Sequence, residues 1–188
     1  MYLVDLFVAA IIITAGVWIL FFNIYYSTGY TKPRILTDDI LKSFYSKKIS
    51  EVNNNIILNL TSKNNVYFQN KGLNYNDYGI INPDFTLVQQ AVEYYVLYKK
   101  ANDIGDVQKA KNYEVVLKDY LKGTINNLIP EQYNYEIIIN QDKTFILRNN
   151  KKNKKNSDLI LPSKTIVAGI DREEEFYGPI LFEVYLWQ

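Results

Sequence analysis

Histidine and cysteine are both absent from this 188-residue chain. Imidazole general bases, thiolate nucleophiles and most zinc or copper sites are therefore excluded before any fold is considered. The residues still able to do chemistry are a few runs of carboxylates, lysines and amides. Asp171-Arg172-Glu173-Glu174-Glu175 clusters oxygen ligands of the kind that bind a hard cation such as calcium, although such a run more commonly forms a solvated loop. Thr37-Asp38-Asp39 reads as a helix cap before it reads as a metal site. Lys151-Lys152-Asn153-Lys154-Lys155 could touch nucleic acid or an anionic surface polymer, but its interleaved asparagine favours a solvated tip. Asn59-Leu60-Thr61 is the sole Asn-x-Ser/Thr acceptor, so Asn59 is a candidate glycosylation site if the domain is exported. There is no glycine-rich phosphate loop and no serine in a nucleophile elbow. The expectation is a protein that is not an enzyme, with no catalytic residue, cofactor or metal.

One further carboxylate stands apart. Asp5 is the only charged side chain in the first 31 residues and opens an apolar run from Leu6 to Phe22. An acid at the centre of a bilayer helix costs roughly 2.5–3.5 kcal/mol, so an intramembrane carboxylate asks for a partner. Residues 1–26 contain no proline, lysine or arginine and a single glycine, Gly16. Apolar on every side, they predict a helix buried in lipid or in a large core. At about 1.5 Å per residue such a helix is about 39 Å long, against about 30 Å of hydrocarbon. Ser27-Thr28-Gly29 ends it, Pro33 prevents a restart, and Tyr25, Tyr26 and Tyr30 sit where an interfacial aromatic belt would lie.

The segment lacks a basic n-region and a small-residue cleavage site. Lys32 and Arg34, the first basic residues, follow the span. If Met1 is the initiator, the positive-inside rule places the remaining domain in the cytoplasm; if a basic leader precedes Met1 and is removed, the domain lies outside.

Met1-Tyr2-Leu3-Val4-Asp5-Leu6-Phe7-Val8-Ala9-Ala10-Ile11-Ile12-Ile13 resembles the mature N-terminus of type IV pilins and related archaeal filament proteins. Members of that family open on an apolar residue, carry an acid at the fifth position and continue as an apolar helix. The resemblance makes Met1 the processed N-terminus and Asp5 the acid, flanked by Leu3, Val4 and Leu6. Asp5 stands where glutamate is more usual, one methylene shorter. In a bundle of such helices Asp5 would neutralise the α-amino group of Met1 on a neighbouring subunit, and a misplaced subunit would leave a buried charge unpaired. Gly16, beside Thr14 and Ala15, marks a place for close backbone approach or local loosening, or else a tolerated glycine in lipid. A leader peptidase and a pilus assembly machinery are partners implied by the resemblance alone.

The elements that position the remaining residues come from residues 30–188, enough for one core. A short helix from Asp39 to about Lys48, capped by Thr37 or Asp38, carries Ile40, Leu41, Phe44 and Tyr45 at helical spacing. In the Asn-rich stretch from Val52 to Gly79, Ile56-Ile57-Leu58 and Val66-Tyr67-Phe68 are candidate strands. Asn82-Pro83-Asp84 opens a helix to about Lys100, with Leu87, Ala91, Tyr94 and Tyr98 on one face. A second helix runs from Val107 to Lys122, with Ala110, Tyr113, Leu117 and Tyr120 or Leu121 inward and Gly123 as its stop. The short connection predicts a helical hairpin. Strands follow at Tyr133–Asn140, Thr144–Arg148, Ser163–Ile170 and Ile180–Trp187, with Tyr177-Gly178-Pro179 bending the chain before the last.

The expected fold is thus α+β: a long N-terminal hydrophobic helix over residues 1–29, then a globular head over 30–188 whose helical hairpin packs on a C-terminal antiparallel sheet. Ile129-Pro130-Glu131-Gln132-Tyr133-Asn134 and Tyr177–Val184 are similar to heads of archaeal pilin-like proteins. The expected function is a structural subunit of an extracellular filament, polymerising with itself and held in the membrane before assembly. The alternatives are a single-pass surface binding domain or a minor pilin. A formal net charge of +1 argues against nucleic acid as a partner. Seventeen tyrosines and nine phenylalanines suit a surface that packs on copies of itself, or reflect compositional bias.

Overall fold

A computed structural model describes residues 36–187 apart from positions 64, 127, 131, 141–143 and 150–160. Helix α1 covers residues 36–46 and buries Thr37, Ile40 and Phe44, a helical spacing that defines its inner face. The helix is already formed at residue 36, so Thr37 and Asp38 lie inside it rather than capping it.

Three short helices follow: α2 (Asn55–Thr61), α3 (Val66–Lys71) and α4 (Tyr75–Tyr78). Both strands expected in this stretch are therefore corrected to helices. Asparagine is the reason. Asn54, Asn65 and Asn74 each accept from a backbone N–H two residues on, at 2.8–2.9 Å, and so cap the three helices in turn. Each helix buries only one or two apolar side chains (Ile57 and Leu60, Phe68, Tyr78), too few to show a period.

The expected hairpin is formed by α5 (Leu87–Asp103) and α6 (Val107–Ile125). Helix α5 starts three residues beyond the Asn-Pro-Asp signal, because Thr86 makes a capping box with Gln89 while the carbonyl of Pro83 accepts from Ser50 N. Gly123 does not stop α6. It lies within the helix where Ile56 presses close; a Cβ there would stand 2.8 Å from the Ile56 Cβ.

Strands β1 (Asn134–Asn140), β2 (Thr144–Arg148), β3 (Leu161–Ile170) and β4 (Phe176–Trp187) form one antiparallel sheet in the order β2-β1-β4-β3. Tyr177, Gly178 and Pro179 belong to β4, not to a bend before it. The sheet absorbs them in a bulge opposite Val167 to Gly169, with Gly178 at φ +115°. Ile137, Ile139, Phe145, Leu147, Ile180, Phe182, Val184 and Leu186 share one face and are all buried. Helix α5 packs on β3 and β4, and Phe44 of α1 meets Phe182 with ring centroids 5.4 Å apart.

The expected fold is corrected in one major respect. Among the described residues no helix is long and apolar enough to cross a membrane. The long hydrophobic helix was expected over residues 1–29, which lie outside the described residues. What the structure shows is an α+β unit, residues 37–188, built on a four-stranded antiparallel sheet.

Candidate functional site

The acidic run occupies the turn between β3 and β4, and Asp171 organises it. Its Oδ1 accepts from the backbone N–H groups of Glu173 (2.9 Å) and Glu175 (3.1 Å), while its own N–H donates to the Glu175 carbonyl at 3.0 Å. Glu174 takes φ +62° to close the loop. This self-bonding turn brings one oxygen each of Asp171, Glu173 and Glu175 within 4.8 Å of one another.

The cation they surround belongs to the chain itself. Lys100, in the last turn of α5, places Nζ 2.6 Å from Asp171, 3.1 Å from Glu173 and 2.5 Å from Glu175. The Asp171 side chain is fully enclosed, whereas Glu173 and Glu175 are exposed. Burial alone would raise the Asp171 carboxyl; the Lys100 ammonium and two backbone N–H groups outweigh it and hold the carboxyl below its ordinary value. Burial likewise works to lower Lys100, and the three carboxylates overcome it and raise it. An amine held so firmly as ammonium is no general base and no Schiff-base nucleophile. Three carboxylates could ligate a hard divalent cation there only after displacing Lys100.

Arg172, between these acids in sequence, points the other way. Its Nε donates to Glu93 Oε1 at 3.1 Å, Nη1 to the Asp77 carbonyl at 2.6 Å and Nη2 to the Gly79 carbonyl at 3.3 Å. Glu93 is buried within α5 and accepts a second bond from Gln90 Nε2 at 2.7 Å. The expected solvated loop is therefore a clamp. One turn of the sheet grips the end of α5 through Lys100 and its middle through Glu93, and gathers the Asp77 and Gly79 carbonyls at the end of α4.

Two further clusters are also closed on themselves. Tyr67 Oη and Lys71 Nζ both donate to Asp119 Oδ2, at 2.8 and 2.6 Å, joining α3 to α6. On the second face of the sheet Arg148 pairs with Glu136, and Lys164 Nζ lies 2.6 Å from Glu183 Oε1.

Of the residues singled out from sequence, Met1, Leu3, Asp5, Leu6, Gly16 and the lysines of 151–155 lie outside the described residues. Asn59 sits within α2, half-buried, its Oδ1 accepting from Asn65 Nδ2 at 2.6 Å. Sequence reasoning missed Lys100, Glu93 and Gln90. A legible signal was Gln90 with Glu93, two polar residues three apart on a helix otherwise apolar along that side. No family model, curated protein or solved structure matches the chain.

Proposed function

We propose that the chain is a subunit of a type IV pilin-like surface filament. Its apolar N-terminal residues hold it in the membrane before assembly and join subunits afterwards, and the α+β head is displayed outside the cell. The observation that carries this reading is the make-up of the first 31 residues, where Asp5 is the sole charged side chain and directly precedes Leu6–Phe22. An acid set against so long an apolar run is costly unless an assembly supplies its counter-charge.

The head supports the reading by what its ionisable groups do. Lys100, Arg172 and Asp119 are each committed to internal partners that lock elements together, as suits a domain whose task is to be a stable, repeated unit. Other copies of the chain, a leader peptidase and an assembly machinery are the partners of this reading.

Electron microscopy of surface material sheared from the native cells, joined to mass spectrometry of the chain's N-terminus, tests it. Fibres containing this chain, and their loss in Asp5→Ala with the head still folded, are the expected result. Discrete particles from both proteins would overturn the proposal in favour of a membrane-anchored binding domain.

A further inference from the structure

Helices α2 and α3 have seven and six residues, too short to hold themselves in water without tertiary support. That support is thin. Two residues of α2 (Ile57 and Leu60) and one of α3 (Phe68) are buried, against eleven of the seventeen in α5 and nine of the nineteen in α6. Hydrogen bonds supply the rest. Asn54 Nδ2 donates to the Gly123 carbonyl at 2.9 Å, and Tyr67 Oη and Lys71 Nζ share Asp119 Oδ2 at 2.8 and 2.6 Å. The Lys71 and Asp119 side chains are 34% and 29% exposed, so water can take the place of either partner. Two further bonds reach the end of α2, from Ile80 N to the Leu60 carbonyl at 2.8 Å and from Tyr75 Oη to that of Thr61 at 3.2 Å.

The chain on either side is held by other means. Before α2, Ile49 N and Ser50 N donate to the carbonyls of Phe85 and Pro83, each at 3.0 Å. After α3, Arg172, Tyr94 and Tyr113 grip the carbonyls of Asp77, Tyr78 and Gly79. The hairpin closes on its own contacts: Tyr120 Oη donates to the Leu87 carbonyl, and its ring meets that of Tyr94 with centroids 5.8 Å apart. We propose that α2 and α3 form a strap that opens from α6 as one unit while the hairpin and the sheet stay folded. The fixed ends confine the opening to the residues between them, which makes the strap a sub-global unfolding unit. Its main cost is the entry of Ile57, Leu60 and Phe68 into water. Opening uncovers the α6 face that carries Asp119 and Gly123, four residues apart and so on one side of the helix.

Hydrogen exchange read by mass spectrometry on the full chain in detergent tests the strap. The backbone amides of α2 and α3 are expected to exchange well before those of α5, β1 and β4. Asp119→Ala should speed exchange in α3 by about tenfold, the worth of one charge-assisted bond. Asp119 bonds only α3 among these two helices' printed ties to it, so the same acceleration in α2 reads the coupling between them. Glu114→Ala, which releases only the surface partner Lys118 on the same helix, should leave both rates unchanged. Strap amides no faster than those of β4, a response confined to α3, or an equal acceleration of the sheet would each overturn the proposal. The strap does not depend on the filament reading: fibres formed by a chain without this early exchange would sink the strap alone.

Discussion

Arg172 and Glu93, 79 positions apart, meet at 3.1 Å across the junction between the β3–β4 turn and helix α5, and both side chains are nearly withdrawn from solvent. A buried ion pair contributes little over a well-packed apolar pair, but removing one partner strands the other charge. Arg172→Ala leaves Glu93 with Gln90, leaves the Asp77 carbonyl with Tyr113 and frees the Gly79 carbonyl. The expected loss is about 3–5 kcal/mol in urea unfolding. Arg172→Lys should recover little of it, because an ammonium cannot present the guanidinium's several donors in a fixed fork. Full stability in either variant would show that the clamp does not hold the turn.

The Lys100 cluster makes a pH-dependent contribution whose sign follows from its two shifts. The Asp171 carboxyl is held below its ordinary value, so its contribution is complete above that value and is lost as pH falls through the lowered one. Lys100 is raised, so its contribution is complete below the ordinary lysine value and is lost only as pH rises through the higher one. The stability gap between the native chain and Asp171→Asn should therefore be flat through neutral pH and close in acid. Urea midpoints of both proteins at a series of pH values measure it. A gap that persists unchanged well below the carboxylate range would rule out the ionised pair as its source.

Which parts of this fold were legible in the sequence depends on how local their cause is. The α5–α6 hairpin was readable because Leu87, Ala91, Tyr94, Tyr113 and Leu117 recur at helical spacing and all are buried. Strand β2 falls where expected and buries Phe145 and Leu147 while exposing Ile146 and Arg148, an alternation that the apolar Ile146 hides in the sequence. The stretch around α2 and α3 misled because its helices are held by asparagine caps and by tertiary contacts, and leave no period in the sequence. The acidic turn was visible as a cluster, but Lys100 lies 73 positions before Glu173. No local pattern records that pairing. Gly123 looked like a stop signal because glycine usually ends a helix, whereas here the demand is room for Ile56.

Three of the described tyrosines serve as internal crossbeams. Tyr94 Oη donates to the Tyr78 carbonyl at 3.0 Å, Tyr113 Oη to that of Asp77 at 3.2 Å, and Tyr120 Oη to that of Leu87 at 2.9 Å. Each buries a large ring and uses its polar tip on a main-chain carbonyl, two at the end of α4 and one in the first turn of α5. Tyr94→Phe should cost about 1–3 kcal/mol, since the orphaned Tyr78 carbonyl stays buried; Tyr120→Phe should cost about 0.5–1.5 kcal/mol, the net worth of one hydrogen bond, since the Leu87 carbonyl also serves the first turn of α5. Tyr45→Phe, at a residue 59% exposed, should be silent. Thermal unfolding of the three variants side by side distinguishes these roles, and equal effects would discard them.

Gly123 poses the sharpest conflict between local and tertiary preference. Alanine is worth about 1 kcal/mol over glycine inside a helix, so propensity alone predicts that Gly123→Ala stabilises α6. The new Cβ would meet the Ile56 Cβ at 2.8 Å and its two branches at 3.1 Å, and α2 is pinned there by Asn54, whose Nδ2 donates to the Gly123 carbonyl at 2.9 Å. Relief requires α2 to move off α6, and overpacking of this kind costs about 1–3 kcal/mol. The net expectation is destabilisation. Ile56→Ala in the same chain removes the two branches but not the Cβ, so it should recover part of the loss. Chemical denaturation of the single and double variants, set in a double-mutant cycle, gives the coupling; a more stable Gly123→Ala protein would mean that α2 yields freely and that propensity decides the site.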